Sequence, residues 1–305
     1  MDQVVKIFDS EVKIRKFSCA NKEEEKKEIT RKALNFYIQL NPECNGRCKF
    51  CEYYKEKAHS FDFQKLKEIL LEINRNILLN KINITGGEPT LNLERLDNVV
   101  DVLYNYIDIN HIPELVINTN GYNLKELKRY EDFFSNIALS RHHYDDEKNF
   151  EIFQTRTVPT KKEILEFRES LENENLLFLR CNLIKGYIDN FHELQKYLDH
   201  AIELKCYFSG FATLMNLNDY CKENQIDFAK LIDIKDESFL KVNYWKRYND
   251  LNENICKCAN YVYQNENGEM CRFFSRLFCL SSLNEGQLVY DGQYLRDGFN
   301  GKVIY

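Results

Sequence analysis

The sequence predicts an α/β fold: a partial (β/α)6 TIM-like barrel with a small C-terminal cysteine-rich extension. Three observations lead there. Six apolar, strand-like runs alternate with segments whose apolar residues recur at helical spacing, an order that gives parallel strands joined by helical crossovers. Six such units between residues 31 and 235 fall short of the eight that close a barrel. Beyond residue 235 the alternation stops, and aromatic, cysteine-bearing sequence with Asn-Gly turns takes over.

Residues 1–30, opening "MDQVVKIFDSEVKIRKF", form an N-terminal extension with room for a hairpin. The barrel segment, 31–235, carries its strands as "LNFYIQL" (34–40), "KINIT" (81–85), "ELVINT" (114–119), "NIALS" (136–140), "LLFLRCNLI" (176–184) and "KCYFSGF" (205–211). Between the first two, "DFQKLKEILLEINRNILL" places Leu66, Ile69, Leu70, Ile73 and Ile77 on one helical face, and "LERLDNVVDVLYNYI" and "FHELQKYLDHAIEL" repeat the pattern. Residues 236–305 read as a separate small module.

A chain of 305 residues with 44% hydrophobic residues can bury a barrel-sized core. Its net charge of −6 gives no general electrostatic reason to bind nucleic acid or an anionic membrane. No run of eighteen apolar residues occurs and no signal-peptide core precedes the first strand, so a cytoplasmic protein without membrane partners is expected. In that compartment the eleven cysteines are metal ligands or small core residues sooner than disulfides. Cys19, Cys181, Cys206 and Cys221 stand singly and read as core residues.

"NPECNGRCKFCEYY" concentrates Cys44, Cys48 and Cys51 on one loop directly after the first strand. The C-terminal edge of a parallel sheet is where α/β folds place their sites. Three thiolates can hold three irons of a 4Fe-4S cluster and leave the fourth open, whereas a structural zinc site takes four ligands. CxxxCxxC with Phe50 before its last cysteine resembles the signature of the radical S-adenosylmethionine (radical SAM) enzymes. In that family the methionine moiety of SAM chelates the open iron. The resemblance continues in "TGGEPTL" (85–91), where Gly86 and Gly87 would permit close backbone approach, Glu88 would accept from the SAM ammonium, and Pro89 closes the turn. "INTNGY" resembles the family's TNG segment, with Asn118, Thr119 and Asn120 facing the cavity; it also reads as an ordinary strand-to-helix turn around Gly121. Ser140, ending the fourth strand, matches a position near the SAM ribose. Arg180 and Asn182 share a strand face and would reach the SAM carboxylate and hydroxyls. Of the paired His142 and His143 only one can point inward; His142 is the candidate catalytic group, beside the plain reading of a loop histidine.

The tail "CKCANYVYQNENGEMCRFFSRLFC" holds Cys256, Cys258, Cys271 and Cys279 around a hairpin-like stretch. The layout is similar to the twitch extension of the GTP-cyclase branch that makes molybdenum cofactor, which implies a second 4Fe-4S cluster on these cysteines. CxC departs from that branch's CxxC, Cys279 either completes the ligation or sits in the core, and a four-thiolate zinc knuckle is the other reading. The resemblance implies reductive cleavage of SAM to a 5'-deoxyadenosyl radical that abstracts hydrogen from a small-molecule or nucleotide substrate. It also implies a one-electron donor such as flavodoxin or ferredoxin. Modification of a ribosomally made peptide is the alternative, disfavoured by the few residues before the first strand. A zinc-stabilised, non-enzymatic interaction protein is the distant one. The molybdenum-cofactor cyclase itself is disfavoured by the CxC and by the ending "GKVIY", which lacks that enzyme's glycine-rich tail.

Overall fold

The computed structural model describes residues 4–13, 33–52, 59–76, 78–108, 112, 114–227, 231, 239–241, 259–276, 286–299 and 301–305. Strands β1 (Val4–Ile7) and β2 (Ser10–Lys13) pair as an antiparallel hairpin. There follow β3 (Ala33–Asn41), α1 (Phe63–Asn76), β4 (Leu78–Gly86), α2 (Leu93–Tyr106), β5 (Glu114–Thr119) and β6 (Asn136–Ser140). Next come α3 (Asp146–Phe153), α4 (Lys161–Ser170), β7 (Leu177–Leu183), α5 (Phe191–Glu203), β8 (Phe208–Thr213) and the short α6 (Asp219–Glu223). The tail adds β9 (Phe239–Lys241), β10 (Ala259–Gln264), β11 (Met270–Arg276), β12 (Gln287–Tyr290) and β13 (Leu295–Asp297).

The six expected barrel strands lie side by side in chain order, β3 to β8, all parallel. The tail strands extend this same sheet at both edges. β12 pairs parallel with β3 on one side, and β11 pairs parallel with β8 on the other. The full order is β13-β12-β3-β4-β5-β6-β7-β8-β11-β10-β9. Among the described residues no helix is long and apolar enough to cross a membrane.

Alternation along each strand sorts side chains into two layers. Outward-facing Phe36, Ile38, Ile84, Ile117, Leu139 and Leu179 are almost fully buried under the helices. Helix α1 meets them with Leu66, Ile69, Leu70 and Ile73, the face its sequence spacing marks out; Ile77 lies outside the described residues. Each such burial contributes roughly 2 kcal/mol. Helix starts are set by local chemistry: Asn92 caps α2, Asn190 caps α5, and Thr160 with Glu163 closes a capping box on α4. The inward layer is polar near the C-terminal ends of the strands, at Asn83, Asn118, Ser140, Arg180 and Asn182. Deeper, Val116, Ala138, Phe178 and Phe274 form a separate apolar cluster. Gly210 makes room for it, because a Cβ there would stand 2.4 Å from the Phe274 ring.

Candidate active site

The cysteine loop leaves β3 at Asn41, where the β3–β4 register slips between Gln39 and Asn41 and turns the chain across the barrel mouth. The GGEP segment at the end of β4 lies directly against this exit. Gly87 N–H donates to the Asn41 carbonyl (2.5 Å) and Glu88 N–H to the Glu43 carbonyl (2.8 Å). The Asn41 side chain donates back to the carbonyls of Glu88 (2.9 Å) and Pro89 (3.2 Å). Both glycines are required by this contact. Gly86 has φ +127 with its missing Cβ 2.5 Å from the Asn41 oxygen, and a Cβ on Gly87 would stand 2.0 Å from the Glu43 oxygen. The close approach that the glycines allow is therefore to the root of the cysteine loop.

Two further segments grip the loop. From the end of α3 and the segment just after it, the Phe153 carbonyl accepts Arg47 N–H (2.8 Å), and Asn45 Nδ2 donates to Thr157 Oγ1 (2.7 Å). From the β8–α6 connection, Asn218 Nδ2 donates to the Lys49 carbonyl (3.1 Å) and to Glu52 Oε1 (2.8 Å), and the Cys221 thiol to the Phe50 carbonyl (3.6 Å). Cys48 is buried, Cys44 and Cys51 are half-buried, and all three are free thiols. Burial pushes the Cys44 thiol up to about 11, against the Gly46 N–H that favours its thiolate; nearby Glu88 and Cys51 add to the rise. Cys48 is raised further by burial, then by Cys51 and Cys44. Such a trio needs a cationic partner to ionise together.

The structure separates the other sequence-predicted residues by role. Glu88 is fully buried: Oε1 accepts from Thr90 N–H (3.0 Å), Thr90 Oγ1 (2.8 Å) and Thr119 Oγ1 (2.6 Å), and Oε2 from Asn120 N–H (2.6 Å). Burial raises its pKa against these four bonds. It ties the end of β4 to the end of β5 through these four protein donors. Asn118, Thr119 and Asn120 do not share a direction, because successive strand residues alternate. Asn118 faces inward, Thr119 turns to Glu88, and Asn120 turns to the cysteine loop. Across the inner face, Asn118 Nδ2 donates to Asn83 Oδ1 (2.5 Å) and Arg180 Nη1 to Asn118 Oδ1 (3.2 Å); Ser140 is the register partner of Arg180. Asn182 shares that face two residues on, and its backbone N–H donates to His142 Nδ1 (3.1 Å). His142 is buried against Phe50 (centroids 5.2 Å) and Phe153 (4.9 Å), and burial, then Arg141, bring its pKa down to about 3. With Nδ1 already accepting a hydrogen bond it backs the loop as a neutral ring. Pro89 opens a buried 3-10 turn behind Glu88.

Cys271 lies on the outward face of β11, fully buried, 3.8 Å from Ser209 Oγ and 3.8 Å from the Cys206 carbonyl, and burial pushes it to about 12. Cys256, Cys258 and Cys279 lie outside the described residues. Sequence reasoning missed Asn41, Asn45, Asn83 and Asn218. Asn83 alone carried a signal, as the polar residue in the apolar run "KINIT".

A parallel sheet whose C-terminal edge is crossed by a tethered loop of three free thiols presents soft sulfur donors where α/β folds place their sites. The model of the Radical SAM superfamily matches residues 38–199, just over half of the chain, and the chain belongs to that superfamily. A GTP 3',8-cyclase of Haemophilus influenzae is 33% identical over 95 residues, covering 29% of this chain and 27% of the cyclase. The chain thus matches less than a third of that relative's length. In fold it is similar to Streptococcus suis SuiB bound to S-adenosylmethionine, with TM-score 0.51 and 19% identity over 68% of this chain and 46% of that one. It is also similar to a radical SAM methyltransferase from Sphaerobacter thermophilus, with TM-score 0.50 and 15% identity over 66% of this chain and 61% of that one. The protein is a radical SAM enzyme resembling the GTP 3',8-cyclase branch, and a 4Fe-4S cluster with SAM is the cofactor set that its membership carries.

The residues present fit that set. Among the described residues no three His, Cys, Asp or Glu side chains stand close enough for a single metal ion. Three soft, free thiols gathered on one braced loop are the donor type that a 4Fe-4S cluster takes.

Proposed function

We propose that Cys44, Cys48 and Cys51 ligate a 4Fe-4S cluster, that SAM binds beside it over the barrel mouth, and that the substrate is a small molecule or nucleotide. When bound and reduced, the cluster supplies the electron that cleaves SAM to a 5'-deoxyadenosyl radical able to abstract hydrogen. The observation that carries this reading is the placement of three free thiols on a loop braced from β4, α3 and α6 above a polar inner face. The chain's own residues have distinct tasks. Asn83, Asn118 and Arg180 form a hydrogen-bonded row that fixes a guanidinium on the cavity side, where it favours an anionic group such as a carboxylate or phosphate. Ser140 and Asn182 flank the row with a hydroxyl and an amide. Below it, Val116, Ala138, Phe178 and Phe274 keep water from the base of the cavity, which a reactive radical requires.

A second cluster belongs to the proposal in a narrower form. Its ligands come from Cys256, Cys258 and Cys279, while Cys271 packs against Cys206 in the core between β11 and α5. The electron donor is a one-electron carrier protein of the flavodoxin or ferredoxin kind.

The test is anaerobic reconstitution with iron, sulfide, SAM and a reductant, followed by quantification of deoxyadenosine with nucleotides, small metabolites and peptides supplied in turn. Wild-type protein should form deoxyadenosine, and Ala at Cys44, Cys48 or Cys51 should abolish it. Stimulation by peptides alone would move the substrate to the peptide class. A protein that takes up zinc and no iron would end the reading.

A further inference from the structure

Asn120 stands just past the end of β5 and is 6% exposed. Its backbone N–H donates to Glu88 Oε2 at 2.6 Å, and its side-chain Oδ1 accepts the Tyr122 N–H at 3.0 Å. That second bond decides which end of the amide faces the cysteine loop, because only an oxygen can accept from Tyr122. Nδ2 therefore points at the loop, and its two protons have two acceptors: Asn45 Oδ1 at 2.7 Å and Cys44 Sγ at 3.6 Å. Asn45 is held in turn by its own donation to Thr157 Oγ1. Cys44 thus receives two N–H dipoles, one from Gly46 in its own loop at 3.3 Å and one delivered from a different strand.

Resting on the cluster reading above, we propose that Asn120 is a positioning residue that sets the cluster's reduction potential by donating a hydrogen bond to the Cys44 sulfur. Reduction adds negative charge that spreads onto the ligating sulfurs. A fixed N–H dipole aimed at one of them stabilises the reduced state more than the oxidised one, so it raises the potential. The amide can do this without rearranging, since Glu88, Tyr122, Asn45 and Thr157 hold it in place before any electron arrives. A residue serving only as a strut would change stability and iron loading and leave the potential where it was.

The experiment is a spectroscopic redox titration of reconstituted wild type, Asn120→Leu and Asn120→Asp, with iron content measured on each. Leu removes the donor at similar volume; Asp keeps the oxygen that accepts from Tyr122 and turns an acceptor toward the sulfur. Both variants should bind iron, and at a fixed solution potential their reduced-to-oxidised ratio should fall about tenfold, which is about 59 mV for a one-electron couple. An iron-loaded variant that titrates with the wild type overturns the proposal. So does a loaded wild type beside two variants that hold no iron, since Asn120 would then be a strut. A wild type that binds no cluster removes the reading of the site and this proposal with it, whereas a loaded wild type indifferent to residue 120 removes this proposal alone.

Discussion

Replacing Gly87 by Ala tests how the cysteine loop is held. The added Cβ would stand 2.0 Å from the Glu43 oxygen, 2.4 Å from the Glu43 carbonyl carbon and 2.9 Å from the Pro42 oxygen, all backbone atoms that no rotamer can move aside. Real Cβ contacts stay beyond 3.0 Å, so the two segments must part by at least 1.0 Å. A separation of that size takes the Gly87–Asn41 bond from 2.5 Å to about 3.5 Å and the Glu88–Glu43 bond from 2.8 Å to about 3.8 Å, past hydrogen-bonding range. Two backbone pairs, each with one buried member (Asn41 and Glu88), lost at about 1–3 kcal/mol each give a destabilisation of about 2–6 kcal/mol. The same shift at the root of Cys44 should lower deoxyadenosine formation about a hundredfold. Gly186→Ala is the control: its φ is +86, but its Cβ would meet nothing within 4 Å, so only backbone strain of about 1–2 kcal/mol is expected, with iron content intact. Urea unfolding and iron analysis on the three proteins decide the matter. A Gly87→Ala protein as stable and as iron-loaded as the Gly186→Ala control would refute the claim that this contact positions the loop.

Two other outcomes follow from buried groups. Cys271→Ser should leave the iron content of the reconstituted protein unchanged, because that thiol lies on the outward face of β11 beside Cys206 and Ser209; loss of iron would return it to the ligand set. Burial lowers His142 from the usual 6.5 to about 3 and His200 to about 2, so the folded state binds fewer protons than the unfolded one and stability rises with pH. Their contribution is complete above pH 6.5 and fades as pH falls toward the folded values. By pH 5 each costs about 2 kcal/mol, since 1.5 units lie between that pH and 6.5. Urea midpoints measured from pH 8 to pH 5 should fall accordingly, and His200→Gln should flatten part of the slope.

The six barrel strands were legible because each is an apolar run bounded by turn residues, and β3 to β8 pair in chain order as that alternation implies. The destinations of the tail strands were not. Whether β11 extends the β8 edge and β12 the β3 edge depends on where the chain travels, and no local pattern records that path. Within the site, the cysteine spacing pointed to the mouth loop, yet three consecutive polar residues at 118–120 cannot face one cavity when strand side chains alternate. Glu88 was opaque for a different reason: a carboxylate is a poor candidate for full burial until its four donors are seen to arrive from the end of β5 and from its own turn. Asn218 lies 169 residues from the Lys49 carbonyl it holds, a pairing only the closed fold creates.

These ties explain why the mouth can be both rigid and built from loops. Loops ordinarily hold catalytic groups loosely, and a site misplaced by an ångström loses much of its rate. Here the cysteine loop is bonded at its root to the Gly-Gly segment, at its middle to the end of α3, and at its far side to Asn218 and Cys221. Each anchor belongs to a different βα unit, so the loop cannot shift without parting from three elements that the core already fixes. The sulfurs therefore inherit their placement from the barrel itself, and a change at Gly87, Thr157 or Asn218 should lower the iron content of the reconstituted protein although none of the three is among the proposed ligands.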